Sequence, residues 1–218
     1  MKRRAGDSGT RGLWSLRKFV QKAPEAERCD LCSAVIAEHH QHLVDPLARR
    51  MLCACDACAI LFSTGAGTNY RRAPRDARYL EGFNLSDQAW NALGIPIGLA
   101  FLYRSSVSDQ MLAVYPSPAG PTESKVDAER WNDMLEENSL LAKLTPDVEA
   151  LLVNRMNGAR EYFLAPIDEC YRLVGLVRKY WRGFSGGEEG WEQIRQFFAQ
   201  LKERSYPVSA GSYARSFV

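Results

Sequence analysis

The chain has little histidine, no long hydrophobic run and almost no cysteine outside one short stretch. His39, His40 and His42 are its only histidines, so no Ser-His-Asp arrangement can be argued anywhere else in it. No apolar run approaches the roughly 18 residues that would suggest a membrane helix, and the longest, around Ile95 to Tyr103, is of strand length. A signal-peptide core is also missing, because Leu13 to Val20 is interrupted by Ser15, Arg17 and Lys18. A cytoplasmic protein without a membrane span is expected. Glycine-rich loops for phosphate are weak too. Neither Gly65-Ala66-Gly67 nor Gly186-Gly187 carries the Lys-Ser/Thr of a P-loop or a dinucleotide fingerprint.

What is present is an ordinary globular composition, 46% apolar and 25% charged over 218 residues, enough for one main domain with a small appended module. The net charge of +2 hides an asymmetry. Over residues 1–22, Lys2, Arg3, Arg4, Arg11, Arg17, Lys18 and Lys22 stand against Asp7 alone, which marks residues 1–27 as a basic N-terminal arm. Such an arm can bind phosphate or an acidic partner, although a solvated tail is the plainer reading.

Five of the six cysteines crowd into residues 29–58, with Cys170 alone elsewhere. In a reducing compartment that clustering points to a metal rather than to disulfides. Cys29-Asp30-Leu31-Cys32 and Cys55-Asp56-Ala57-Cys58 are separated by 22 residues. Each pair can offer two thiolates from a tight knuckle, and two pairs complete a tetrahedron, with zinc the preferred ion and iron the alternative. The spacing is long for a zinc ribbon. Ala57 to Phe62 can be helical, which would put the second pair at a helix N-terminus as in a treble clef. Cys53 and the histidines leave the ligand set open, because His42, or His40, with three cysteines also suits zinc. A full set of cysteine ligands leaves no open position, which favours structural use.

Cys170 near a helix start has Asp168 and Glu169 beside it, which oppose ionisation, and reads as a core cysteine. Downstream of the cysteine module, 28–62, an aperiodic stretch with Gly, Pro and the arginines 71, 72, 75 and 78 reads as a linker loop, 63–84. An α+β domain, 85–205, follows. Ser86 caps a short helix carrying Trp90 and Leu93 that ends at Gly94. Ile95 to Tyr103 and Gln110 to Tyr115 form one hairpin; Val148 to Arg155 and Glu161 to Pro166, turned by Asn157-Gly158, form another. The three prolines between Tyr115 and Pro121 are expected to take the chain out of the sheet. Asp127 and Asp168 are expected to cap helices, the second with Tyr171, Val174, Val177 and Trp181 in its stripe. A last helix repeats Trp191, Ile194, Phe198 and Leu201, and residues 206–218 read as a loose tail. The expected fold is an antiparallel sheet covered by helices on one face.

Cys29-Asp30-Leu31-Cys32, His40-Gln41-His42-Leu43, Cys53-Ala54-Cys55-Asp56-Ala57-Cys58, Tyr115-Pro116-Ser117-Pro118-Ala119-Gly120, Pro166-Ile167-Asp168 and Trp181-Arg182-Gly183-Phe184 recur together over about residues 28–203. In this combination the chain resembles an uncharacterised bacterial domain family often encoded beside genes of the high-affinity, oxygen-tolerant nickel–iron hydrogenases. The resemblance implies an accessory role in hydrogenase assembly or function and carries over no catalytic residue. A non-catalytic, zinc-stabilised accessory protein is therefore expected, binding a hydrogenase subunit or maturation factor. Tyr115, Pro116, Ser117, Trp181, Arg182 and Phe184 are the candidate contact residues. Two alternatives are a zinc-dependent nucleic-acid binder, using the arm and the arginines of 71–78, and an iron-binding redox or iron-delivery protein.

Overall fold

The computed structural model describes residues 26–64, 68–117, 120–183 and 186–209. The basic arm up to residue 25, the Gly65-Ala66-Gly67 loop, Phe184 and the tail from residue 210 lie outside the described residues.

The cysteine module is a knuckle at Cys29 to Ser33, a hairpin of β1 (Gln41–Asp45) and β2 (Arg50–Ala54), and helix α1 (Asp56–Ser63). β1 pairs antiparallel with β2 and, on its other edge, with β3 (Arg71–Arg72). Strand alternation gives this hairpin two different faces. Leu43, Leu52 and Ala54 point into a small core with Cys29, Cys58 and Ala59. His42 stands opposite Cys53, and Val44 opposite Met51, on the other face.

The main sheet has the order β10-β4-β9-β8-β5-β6-β7. In chain order its strands are β4 (Arg78–Glu81), β5 (Leu99–Ser105), β6 (Gln110–Ser117), β7 (Gly120–Lys125), β8 (Glu149–Asn154), β9 (Glu161–Pro166) and β10 (Tyr206–Ser209). Central β8 is buried at all its positions, and its two faces feed two cores. Ala100, Leu102, Leu151, Val153 and Leu164 meet Trp90 and Leu93 at α2 (Asp87–Ala92) and Trp131 and Met134 of α3 (Ala128–Glu137). Leu99, Phe101, Leu152 and Phe163 meet Cys170, Leu173 and Val177 of α4 (Ile167–Tyr180) and Ile194, Phe198 and Leu201 of α5 (Gly187–Glu203). Each fully buried Leu or Phe contributes on the order of 1.5–3 kcal/mol by leaving water.

The α+β class, both expected hairpins and the caps at Ser86 and Asp127 stand in the structure. Other expectations need correcting. Helices cover both faces of the sheet, because the strands from 99 to 166 are apolar on both sides. The 63–84 stretch is not all loop, since β3 and β4 lie in it, and the tail contributes β10, parallel to β4. Strands of two to four residues are too short to show a period; their partners in space decide them. The proline segment stays in the sheet as the end of β6 and the start of β7, with Pro116 opposite Pro121. Beyond Val114, β6 pairs only with β7, an edge strand, so neither proline interrupts the central ladder. Asp168 is not the cap of α4 but lies one residue inside it, after Ile167, with Pro166 at the cap position. The buried stripe of α4 is Ile167, Cys170, Leu173, Val174 and Val177, and Tyr171 lies at its exposed margin.

At Gly98 the neighbouring strand end comes close: a Cβ there would sit 2.9 Å from the carbonyl carbon and oxygen of Arg155. Arg155 N–H donates to Gly98 O at 2.6 Å, which holds the two backbones together. Gly98→Ala is expected to cost about 1–3 kcal/mol, the usual range for overpacking. A denaturant midpoint equal to that of the parent protein would contradict this backbone approach.

Candidate metal centre

Local hydrogen bonding builds the first half of the centre. Cys29 N–H donates to Ala34 O and Ser33 N–H to Cys29 O, both at 2.8 Å, with Ser33 left-handed at φ 61°. Asp30 ties the knuckle to β2 from both ends: its N–H donates to Cys53 O at 2.9 Å, and its carboxylate accepts from Cys53 N–H at 2.6 Å.

The second half sits at the start of α1. Cys55 is the N-cap, and its sulfur accepts from Cys58 N–H at 3.4 Å. A helix N-terminus presents unpaired N–H groups and a positive dipole end, which favour thiolate. The helix-borne second pair makes the module treble-clef-like.

The four sulfurs of Cys29, Cys32, Cys55 and Cys58 lie within 4.8 Å of one another, and none is in a disulfide. Cys32 Sγ and Cys55 Sγ are 3.7 Å apart. Tetrahedral zinc with bonds of about 2.3 Å needs sulfurs about 3.8 Å apart. The set therefore fits one metal ion.

Electrostatics fit it as well. Burial raises the Cys29 pKa, but backbone N–H groups of Cys55, Leu31 and Cys32 together bring it down to about 6. Cys58 is pushed the other way, up to about 12, by burial and then by the neighbouring sulfurs of Cys55, Cys32 and Cys29. One thiolate thus forms readily and opposes the next, so four together call for a cation between them.

His40, His42 and Cys53 do not enter this set. They form a group of their own, with ligand atoms within 4.8 Å of one another. Strand alternation is the reason: Cys53 and His42 point to the face of the hairpin opposite Leu52 and Ala54. His42 Nδ1 lies 2.7 Å from Asp168 Oδ2, and that hydrogen bond raises the His42 pKa. His39 is exposed.

Residues 28–205 match the family model described as a family of unknown function, DUF5947. The chain belongs to that family. No curated protein and no solved structure matches it.

The remaining sequence candidates in this DUF5947 chain take varied positions. Tyr115 packs against the core, Pro116 is buried and Ser117 is half-buried. Trp181 packs edge to face on Trp191 at 5.2 Å, and its ring occupies the place a Cβ on Gly186 would take, 2.8 Å away. Gly186, at φ 84°, is thus required by the α4–α5 turn. Arg182 is exposed, and Phe184 lies outside the described residues. Of the arginines considered for nucleic acid, Arg71 pairs with Asp147, Arg75 with Asp56 and Arg78 with Glu149. Among the described residues no helix is long and apolar enough to cross a membrane.

Cys170 is fully buried, and burial, with Asp168 and Glu169 adding to it, pushes its pKa well above the usual thiol range. It should resist iodoacetamide in the folded protein and react once denatured. Mass spectrometry finding native alkylation of Cys170 at the rate of a free thiol would show that the site is open.

Proposed function

We propose that this protein is a zinc-stabilised accessory protein that acts in the cytoplasm by binding a protein partner. The observation that carries the reading is the closed set of four thiolates. With four cysteines converging on one point, no coordination position is left for a substrate, and the ion's work is to fix the module's shape. Zinc is preferred over iron because the set suits a structural tetrahedral ion at the junction of a knuckle and a helix.

A partner-binding role gains support from α1, where Ile60 and Leu61 are 56% and 67% exposed on the element that the metal anchors. The resemblance to domains encoded beside nickel–iron hydrogenases directs the choice of partner to a hydrogenase subunit or maturation intermediate. The nucleic-acid alternative loses ground because Arg71, Arg75 and Arg78 spend their charge on carboxylates.

Protein purified anaerobically from a native host should contain zinc, show no visible absorption, and lose that zinc in Cys58→Ser, with loss of the module's fold. A thiolate-to-iron absorption band would replace the zinc assignment by iron. Affinity capture from the same host should recover a hydrogenase component, and Leu61→Asp should reduce the yield severalfold. A capture that recovers no such component would sink the partner assignment.

A further inference from the structure

The second group of metal-ligating side chains lies outside the four-cysteine set. His40 and His42 are two apart near the start of β1, and Cys53 is the β2 residue paired with His42. The β1–β2 register puts His42 and Cys53 side by side on one face of the hairpin, and His40, one residue before β1, reaches the same group. Their ligand atoms lie within 4.8 Å of one another, so small side-chain rotations bring them onto one ion.

Both imidazoles are set for ligation by their hydrogen bonds. His40 Nδ1 is 2.9 Å from Ala37 O and 3.4 Å from Glu27 Oε2, both acceptors, which puts its proton on Nδ1. His40 Nε2 is left as a lone pair. The side chain is only 8% exposed, and Nε2 is buried without a hydrogen-bond partner among the described residues. An unsatisfied buried acceptor is costly unless something binds it.

His42 Nδ1 faces Asp168 Oδ2 at 2.7 Å and so presents Nε2 as well. A carboxylate behind an imidazole in this way orients the ring and strengthens it as a ligand. The rings of His40 and His42 meet edge to face at 4.7 Å.

We infer that His40, His42 and Cys53 form a second metal site, for a first-row transition-metal ion of borderline softness such as zinc(II) or cobalt(II), with Asp168 as the positioning residue for His42. Two imidazoles and one thiolate match that class of ion. In contrast to the four-cysteine centre, three ligands leave one coordination position open. The site borders a cleft of about 1020 Å³ between the module and α4, lined in part by His40, His42, Met51, Arg75 and Asp168. The ion is accessible and exchangeable there, and it can take a water or a small anion. The site does not rest on the identity of the metal in the four-cysteine centre, whose failure to hold zinc would show separately in the metal analysis.

The test is an anaerobic titration of the full chain, its zinc retained, with cobalt(II). One further cobalt should bind, giving d–d bands and a near-ultraviolet sulfur-to-cobalt band, while the zinc remains. Azide should shift the d–d bands by filling the open position. His40→Ala and His42→Ala should abolish tight binding, Cys53→Ser should remove the sulfur band, and Asp168→Asn should weaken cobalt binding by about 10–100-fold. Retention of the zinc in each variant shows that the module is still folded. A parent protein that binds no cobalt without losing zinc would overturn the site, as would His40→Ala and Cys53→Ser variants that bind it unchanged. Bands indifferent to azide would overturn the open position.

Discussion

Four sulfurs gathered from a knuckle and a helix start cannot all be ionised side by side without a cation, and the N-terminal module is organised around that constraint. The knuckle supplies N–H groups that favour thiolate at Cys29, whereas burial and the sulfurs around it push the pKa of Cys58 up. A metal ion bound among them would resolve the opposition. Such an ion would also stand in for a large apolar core, since the module buries little beyond Leu43, Leu52, Ala54 and Ala59.

The same hairpin that backs this centre joins the module to the main domain. Its inner face is apolar; its outer face carries His42, Val44, Met51 and Cys53. Val44 packs against the core formed by α4 and α5, and His42 bonds Asp168 near the start of α4. Arg71 of β3 reaches Asp147, and Arg49 in the β1–β2 turn pairs with Glu123 of β7. The module is thus fastened to the sheet through polar contacts around a small apolar seat, and the cleft at that seam holds the two histidines.

Much of this architecture is legible in the sequence where one physical rule acts locally. Ser86 and Asp127 sit ahead of short apolar repeats and do cap helices, through bonds to Ala89 N–H and to Glu129 and Arg130 N–H. The Asn157-Gly158 turn, left-handed at both residues, joins two runs apolar enough to be central strands. Other parts were illegible for equally physical reasons. Arg78–Glu81 and Tyr206–Ser209 are too short to carry a period and exist as strands because of their neighbours in space, β4 between β9 and β10 and β10 beside β4. Asp168 has the residue type of a cap but serves as a partner for a histidine 126 positions earlier.

The sequence alone supplies the donors of the centre, because two CxxC pairs can bring their sulfurs together from local turns, but at that level Cys53, His42 and His40 still compete for the ligand set. It also determined the class of fold, because alternation and helical repeats are properties of short windows. Where Cys53, His40 and His42 lie is a matter of tertiary structure. The separation of His42 and Cys53 from the cysteine centre depends on which face of a strand each occupies, and that follows from the β1–β2 register. The bond of His42 to Asp168 depends on where the module docks against α4, a placement that no local rule contains.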